Sequence, residues 1–323
     1  MKFAFIVDPL EKLKAYKDSS VFMMREAARR GHEIFAFEAK HMALLRGEVS
    51  ALVSKLSVNA DNDHWYGVDS TVETKLADFD AVLMRKDPPF NQEYLYSTLL
   101  LELAEKQGAR IVNRAGALRD YNEKLSTAKF PQFTPPTLVT QSMERIHAFI
   151  DEHQDVIVKK LDGMGGTSIF RVRHDDPNRN AIIEVQTING AETIMAQRYI
   201  PEIVKGDKRV LVIDGKVVPF CLARIPKEGE TRGNLAAGGR GVAQPISSRD
   251  REIAETIGPQ LKADGLTIVG LDVIGDYLTE VNVTSPTCFV EIFDQAGFNA
   301  AALVIDALEV TRVRNNNAAS HAN

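Results

Sequence analysis

The chain has 323 residues, 44% of them apolar and 26% charged, with a formal net charge of −5 and a pI near 5.9. That length predicts two domains, or three, with chain enough for a sizeable core; the acidic balance, with no Lys/Arg block, excludes a nucleic-acid footprint. No run reaches the ~18 apolar residues of a membrane helix, and Cys221 and Cys288, with no C-x-x-C pair, read as reduced cytosolic thiols.

Residues 2–7 form a continuous apolar run that stops at Asp8-Pro9, which predicts a buried parallel strand and not a signal peptide. Asp18, Ser19 and Ser20 offer caps to a helical pattern (Val21, Met24, Ala27, Ala28) that stops at Gly31. Strands are predicted over 33–37 and 79–84, and the pattern over 41–75 is too weak to assign. A helix from Asn91 through Leu95, Leu99, Leu103 and Ala104 ends near Gly108, with a strand over 110–112. The alternation predicts a parallel α/β domain, and no G-x-G-x-x-G follows the first strand to suggest a dinucleotide. Such sheets bind ligands at strand carboxyl ends. Two segments stand there, Asp8-Pro9 with residues 17–20, and residues 84–90 with Arg85; ordinary turn chemistry explains them equally well.

Residues 156–159 predict a strand running into Leu161-Asp162-Gly163-Met164-Gly165-Gly166-Thr167, and a second strand, 168–172, leads out. Glycines let backbone N–H groups turn toward an anion. A Walker A loop needs Gly-Lys-Ser/Thr opening a helix, whereas Gly165-Gly166-Thr167 lacks the lysine and enters a strand. A glycine hairpin over a nucleotide, with Lys159 reaching the phosphates, fits better, although most such hairpins are structural. Lys124, on a helix predicted after Asn122, is either a surface lysine or a second phosphate contact. The strand over 192–200 could offer backbone groups to an adenine, and Asp214-Gly215 joins strands over 209–212 and 217–220. Residues 224–241 hold five glycines and three arginines, which favours a lid closing on phosphate over a disordered linker. A helix over 251–262 ends at Gly265.

The stretch 268–286, IVGLDVIGDYLTEVNVTSP, reads as two strands joined at Gly275-Asp276. A two-residue loop would pair Asp272 with Thr279 and send Glu280 to the other face; a three-residue loop, 275–277, would pair Asp272 with Glu280. Only the second register gathers Asp272, Glu280 and Asn282 into a hard oxygen set of the kind that suits Mg²⁺ shared with substrate phosphates. The alternative is a solvated polar face, but the apolar flanks argue for burial, where unpaired carboxylates are costly. Residues 315–323 are predicted to be a disordered tail.

A lysine-bearing glycine hairpin, a basic lid and a D…E-x-N hairpin come in the order of an ATP-grasp fold. Over residues 1–310 the chain resembles the bacterial glutathione synthetases, through MRKDPPF (84–90), LDGMGG (161–166), LARIP (222–226), ETRGNLAAGGRG (230–241) and VGLDVIGDYLTEVNVTSPT (269–287). The resemblance implies an α/β protein: an N-terminal parallel-sheet (pre-ATP-grasp) domain over 1–121, then an ATP-grasp domain over 122–314 with mainly antiparallel sheets and a lid near 226–241. It implies ATP-dependent ligation of γ-glutamylcysteine and glycine through an acyl phosphate, with Mg²⁺ or Mn²⁺, in a cytoplasmic homotetramer with no nucleic-acid or membrane partner. On that footing Lys124 and Lys159 hold ATP phosphates beneath Gly163, Met164, Gly165 and Gly166, and Gln197, Tyr199 and Ile200 line the adenine. Asp272, Glu280 and Asn282 carry the metal, while Arg209, Arg224 and Arg232 of the lid face the acyl phosphate. Asn282, Ser285, Pro286 and Thr287, with Arg85, Asp18, Ser19 and Ser20, meet the peptide. Lys160 departs from the proline expected there and puts only local loop stiffness in doubt. The nearest alternative is another carboxylate–amine ligase of the same fold, such as a D-alanine ligase.

Overall fold

A computed structural model describes residues 1–227, 233, 235 and 238–319. Seven strands, β1 (Lys2–Ile6), β2 (Glu33–Phe37), β3 (Met42–Leu45), β4 (Glu48–Val58), β5 (Tyr66–Lys75), β6 (Ala81–Met84) and β7 (Ile111–Val112), make the first sheet. Their order is β3-β4-β2-β1-β6-β7, with β5 also on β4. β1 pairs in parallel with β2 and β6, and β6 with β7, as their buried apolar runs predict. β3, β4 and β5 are antiparallel and fill the unassigned stretch 41–75. β5 is exposed along nearly all its length, so it carries no apolar alternation to read.

Helix α1 (Ser19–Arg29) starts where the Asp18 carboxylate accepts the N–H groups of Ser20 and Val21, and α2 (Gln92–Lys106) where Asn91 accepts that of Tyr94. α3 (Ala115–Asp120) leads to Lys124, which precedes a short 3-10 helix, Leu125–Lys129, in place of the helix predicted after Asn122.

The second sheet is β8 (Thr137–Thr140), β9 (Asp155–Lys160), β10 (Ile169–Arg173) and β11 (Ile194–Arg198), antiparallel in the order β10-β9-β11-β8. With α4 (Met143–His153) and α5 (Arg179–Thr187) it encloses a core of its own, among them Ile146, Val158, Ile183 and Ile194. The third sheet, β12 (Asp207–Ile213), β13 (Lys216–Ile225), β14 (Arg240–Pro245), β15 (Ile268–Ile274) and β16 (Tyr277–Asn282), runs β14-β13-β12-β15-β16 and is antiparallel throughout. α6 (Ser248–Ala263), opened by a capping box of Ser247 and Asp250, α7 (Phe289–Ala296) and α8 (Ala300–Ala319) complete the chain. α8 continues past residue 314 into the stretch read as a tail.

Phe3 and Phe5 of the first sheet share one core with Leu211, Ile213, Phe289 and Val304, so apolar packing does not stop at residue 121. Asn113 ties the two regions further. Its amide donates to the carbonyls of Ile268 and Val283, and its oxygen accepts the N–H groups of Thr267 and Ile268, all at 2.8 Å. The first and third sheets thus form one body, and the second, on its separate core, faces it across a cavity. Among the described residues no helix is long and apolar enough to cross a membrane.

Candidate active site

The β15–β16 hairpin pairs Asp272 with Glu280 and Gly270 with Asn282. The route differs from the three-residue loop expected. Ile274 pairs with Tyr277 around a two-residue Gly275-Asp276 turn, with Gly275 at φ 56°. A bulge then sets Thr279 out of the ladder, between the Val273–Leu278 and Asp272–Glu280 pairs. The Thr279 hydroxyl bonds the Asp272 carbonyl at 3.1 Å and fixes the irregularity. The bulge is what returns Glu280 to the face of Asp272.

Asp272 is 2% exposed and fully engaged. Arg209 donates through Nε to Oδ1 at 2.5 Å and through Nη2 to Oδ2 at 3.0 Å, and Arg224 Nη2 lies 2.8 Å from Oδ2. Burial works against its ionisation, but the two guanidiniums hold its carboxyl below the usual range. Arg224 also meets Asp207 Oδ2 at 2.5 Å, while the buried Oδ1 of Asp207 has no partner among the described residues. Burial, opposed by Arg224 and reinforced by the neighbouring carboxylates, pushes Asp207 up to about 7. Gly270 lets Arg209 lie across the strand, because a Cβ there would stand 2.7 Å from Arg209 Cδ and 3.1 Å from Pro286 Cβ.

Glu280 has a looser environment. Its Oε1 lies 3.5 Å from Lys124 Nζ and 3.8 Å from Lys159 Nζ, longer than a hydrogen bond. Lys124 Nζ instead donates to the Gly163 carbonyl at 2.6 Å, tying the glycine loop to the cation pair. Lys159 is buried, and burial with the adjacent Lys124 lowers its pKa against the pull of Glu280. Two ammonium groups that face one cavity and, among the described residues, share the single carboxylate of Glu280 fit a polyanionic ligand. Asn282 donates through Nδ2 to the Gly270 carbonyl, which leaves its oxygen available. Glu280 and Asn282 therefore fit a hard divalent cation. Asp272 adds an oxygen only if an arginine gives way.

These groups surround a cavity of about 310 Å³ between the second and third sheets. Lys124, Lys159, Gly163, Met164, Gly165, Gly166, Gln197, Tyr199 and Ile200 all line it, as do Arg209, Arg224, Glu280 and Asn282. Ile157, Ile169, Ile203 and Ile274 give it an apolar end suited to a flat base. Gln197 is oriented there by the Thr137 hydroxyl, and Arg171 stacks 3.6 Å from the centre of the Tyr199 ring. Lys160 points elsewhere, to Glu192 at 2.6 Å. Of the lid, Gly233 and Leu235 line the cavity, and Arg232 lies outside the described residues.

Ser285, Pro286 and Thr287 line the same cavity, whereas Arg85, Asp18, Ser19 and Ser20 stand behind that wall. Arg85 donates to the Ser20 hydroxyl at 3.1 Å and to the Pro286 carbonyl at 2.9 Å, and the Ser285 hydroxyl returns a bond to the Arg85 carbonyl at 3.2 Å. The Ser19 hydroxyl accepts from the Phe289 N–H at 3.5 Å. Arg85 and Ser19 thus bond the 285–289 segment directly, Ser20 holds Arg85, and Asp18 caps α1. Sequence reasoning missed Asp207, Glu123, Gly270 and Asn113. Only Asp207 carried a signal, since it lies two positions before Arg209 on one strand face.

Comparison with known proteins agrees with this geometry. The family profile for the N-terminal domain of prokaryotic glutathione synthetase matches residues 1–119, and that for its ATP-grasp domain matches residues 123–297. Glutathione synthetase of Nitrosomonas europaea is 56% identical over 319 residues, covering 98% of this chain and all of the relative. That of Bordetella parapertussis is 57% identical over 314 residues, covering 96% of this chain and 99% of the relative. Among solved structures, D-cycloserine synthetase DcsG superposes with a TM-score of 0.66 at 14% identity, covering 95% of this chain and 98% of its own. The ATP-grasp ligase PsnB, complexed with minimal precursor, Mg and ADP, does so at 0.60 and 18% identity, covering 95% and 97%. These last two likenesses are of fold. The ATP-grasp architecture, the cavity lysines and the match along nearly the whole length lead to one assignment: the chain belongs to the prokaryotic glutathione synthetase family.

Proposed function

We propose that the cavity joins γ-glutamylcysteine to glycine at the expense of ATP, releasing glutathione, ADP and phosphate. The observation that carries this reading is the convergence of Lys124, Lys159, Arg209 and Arg224 on one cavity with Glu280 and Asn282. Carboxylates are poor electrophiles, so the γ-phosphoryl group first passes to the cysteinyl carboxylate. The amine then displaces phosphate from the acyl phosphate. The chemistry needs placement and charge more than a nucleophilic side chain. Cys288 lines the cavity, but burial pushes its thiol up, away from the reactive thiolate.

In this reading Lys124 and Lys159 bind the phosphates beneath residues 163–166, and the isoleucine-lined end with Gln197, Tyr199 and Ile200 takes the adenine. Arg209 and Arg224, preorganised by Asp272, offset the charge that builds on the acyl oxygens. Ser285, Pro286 and Thr287 bound the peptide, and the lid excludes water from a hydrolysable intermediate. A divalent cation, Mg²⁺ or as second choice Mn²⁺, would be held by Glu280 and Asn282 and would neutralise phosphate oxygens. ATP supply and the buried free thiols favour the cytoplasm. Assembly as a homotetramer rests on family resemblance, and light scattering during gel filtration tests it.

The test of the reaction is ADP release with ATP, Mg²⁺ and γ-glutamylcysteine, with and without glycine, and the product identified by mass. Turnover that needs both substrates and yields glutathione supports the reading. ATP binding without turnover moves the assignment to another carboxylate–amine ligase of this fold.

A further inference from the structure

Arg85 follows β6 and stands behind the wall of the cavity, 3% exposed. Its N–H donates to the Ile6 carbonyl at 2.8 Å, which anchors it to β1, and its own carbonyl accepts the Ser285 hydroxyl at 3.2 Å. The guanidinium grips the same wall. Nη2 donates to the Pro286 carbonyl at 2.9 Å and Nε to the Ser20 hydroxyl at 3.1 Å, while the buried Nη1 has no partner among the described residues. Burial lowers the pKa of Arg85, and the charges of Asp87 and Asp18 work against that. A buried guanidinium is costly, and a neutral amide or hydroxyl would brace a loop at less cost. What the charge adds is strength, since a charge-assisted bond is roughly twice as strong as a neutral one.

The peptide unit that Arg85 holds explains the need for strength. The bond between Pro286 and Thr287 is trans, so its C=O and N–H point to opposite sides. With the carbonyl drawn back to Arg85, the Thr287 N–H is turned the other way, toward the cavity that Pro286 and Thr287 line. That N–H has no acceptor among the described residues. Its surroundings are cationic: Arg209 and Arg224 line the same cavity, and their charge reaches the next residue, Cys288. β15 closes on Pro286 from another side, because a Cβ on Gly270 would stand only 3.1 Å from Pro286 Cβ. Clamped in this way, the N–H has a fixed direction before any ligand arrives. A fixed donor beside two guanidiniums suits an oxygen on which negative charge grows.

We propose that Arg85 is a positioning residue of the ligation: by holding the Pro286 carbonyl behind the wall, it aims the Thr287 N–H at the carboxyl group of the peptide that is activated in the cavity. The proposal rests on the ligase reading above. It moves Arg85 from the peptide contact that resemblance implies to a role carried through the main chain. Ser20 shares that role at one remove, because it touches the guanidinium and not the wall. If the 286–287 peptide plane turns, the donor is misplaced by about 1 Å, and a misplacement of that size costs a rate about a hundredfold.

The test measures initial rates of the full chain with ATP, Mg²⁺, γ-glutamylcysteine and glycine. Arg85→Met keeps much of the side-chain length and removes the donors. It should lower kcat about tenfold to a hundredfold and leave KM for ATP within about twofold of wild type. Arg85→Lys can still donate to the Pro286 carbonyl and should recover most of the loss. Ser20→Ala should lower kcat about twofold to tenfold, the worth of one hydrogen bond, and should add nothing to Arg85→Met, since it acts through that guanidinium. A kcat of Arg85→Met within about twofold of wild type overturns the proposal. So does a KM for ATP that rises in step with the loss, which a loosened structure would give, and so does a lysine variant no better than methionine. A raised KM for γ-glutamylcysteine with unchanged kcat overturns it too, and would make Arg85 a binding group. Should Arg85→Met fail to fold, the lysine and Ser20 variants decide, and wild-type kcat in Ser20→Ala counts against the proposal. A wild-type chain that binds ATP but makes no glutathione fails the ligase reading itself, and the proposal falls with it whatever the variants do.

Discussion

Asp272 separates a structural demand from a chemical one. Its carboxylate lies between Arg209 and Arg224, all three are buried, and three guanidinium contacts of 2.5–3.0 Å meet its two oxygens. Asp272→Asn keeps the shape and removes the carboxylate that touches both arginines. Breaking a buried pair by neutralising one partner costs about 3–5 kcal/mol, because the other charge stays buried and uncompensated. At roughly 2–4 °C per kcal/mol, the melting temperature falls by about 6–20 °C. Inorganic phosphate should restore part of that loss and stabilise the variant more than wild type, since the uncompensated arginines line the cavity and attract an anion from it, and binding to the folded state adds stability. The pH dependence has a definite sign. The folded carboxyl titrates below its unfolded value of about 3.9, so its contribution is complete above that value and is lost as pH falls through the folded one. The gap between wild type and variant should therefore widen somewhat as pH falls through about 7, where Asp207, raised in part by Asp272, takes up its proton in the wild type, and close only in strong acid. Thermal melts with and without phosphate across these pH values provide the measurement. A variant that melts within about 2 °C of wild type, or gains no more from phosphate, would refute the view of Asp272 as the counter-charge of both arginines.

Three further substitutions probe the neighbouring layers. Glu280→Gln should lower turnover at least about a hundredfold and weaken the divalent-dependent part of ATP binding in calorimetric titration, with an unchanged melting curve; near wild-type activity would remove Glu280 from the metal side. Gly270→Ala forces Arg209 and Pro286 apart, at an overpacking cost of about 1–3 kcal/mol. It should cut kcat while leaving KM for ATP nearly unchanged, and a variant of normal kcat would show that the Arg209 stem need not lie there. Asn113→Leu strips partners from two backbone N–H groups and two carbonyls, at about 1–3 kcal/mol for each group left unmet. Circular-dichroism melts should show one of the largest losses of any single change in the chain, and a loss below about 1 kcal/mol would mean that backbone or water takes over those bonds.

What could be read in the sequence follows the distance over which each feature is decided. The caps at Asp18 and Asn91 act within three residues, and both are found where the sequence puts them. The buried strands β1, β2 and β6 announce themselves by unbroken apolar runs. The face shared by Asp272 and Glu280 was legible as a choice between two registers. The bulge that selects one was not, because Thr279 leaves the ladder through a bond to a carbonyl seven residues back, and nothing in its own side chain distinguishes it from a strand threonine. β5 fails in another way: it is a strand by its pairing with β4 alone, with an exposed, polar sequence that no periodicity marks.

The site repeats that division. Lys124, Lys159 and residues 163–166 sit in short strings whose composition is set by what they touch, so resemblance finds them. The residues that hold those strings in place are single positions with remote partners. Asn113 reaches 155 and 170 residues along the chain to Ile268 and Val283, and Arg209 reaches 63 to Asp272. Arg85 was read from the sequence as a candidate for the peptide site, and its bond to the Pro286 carbonyl, 201 residues away, was not legible there. A charge at the end of a strand looks the same whether it meets a ligand or a carbonyl from another sheet. Only the fold decides which, and here it turns the arginine of the MRKDPPF string away from the cavity, toward the backbone of the segment that lines it.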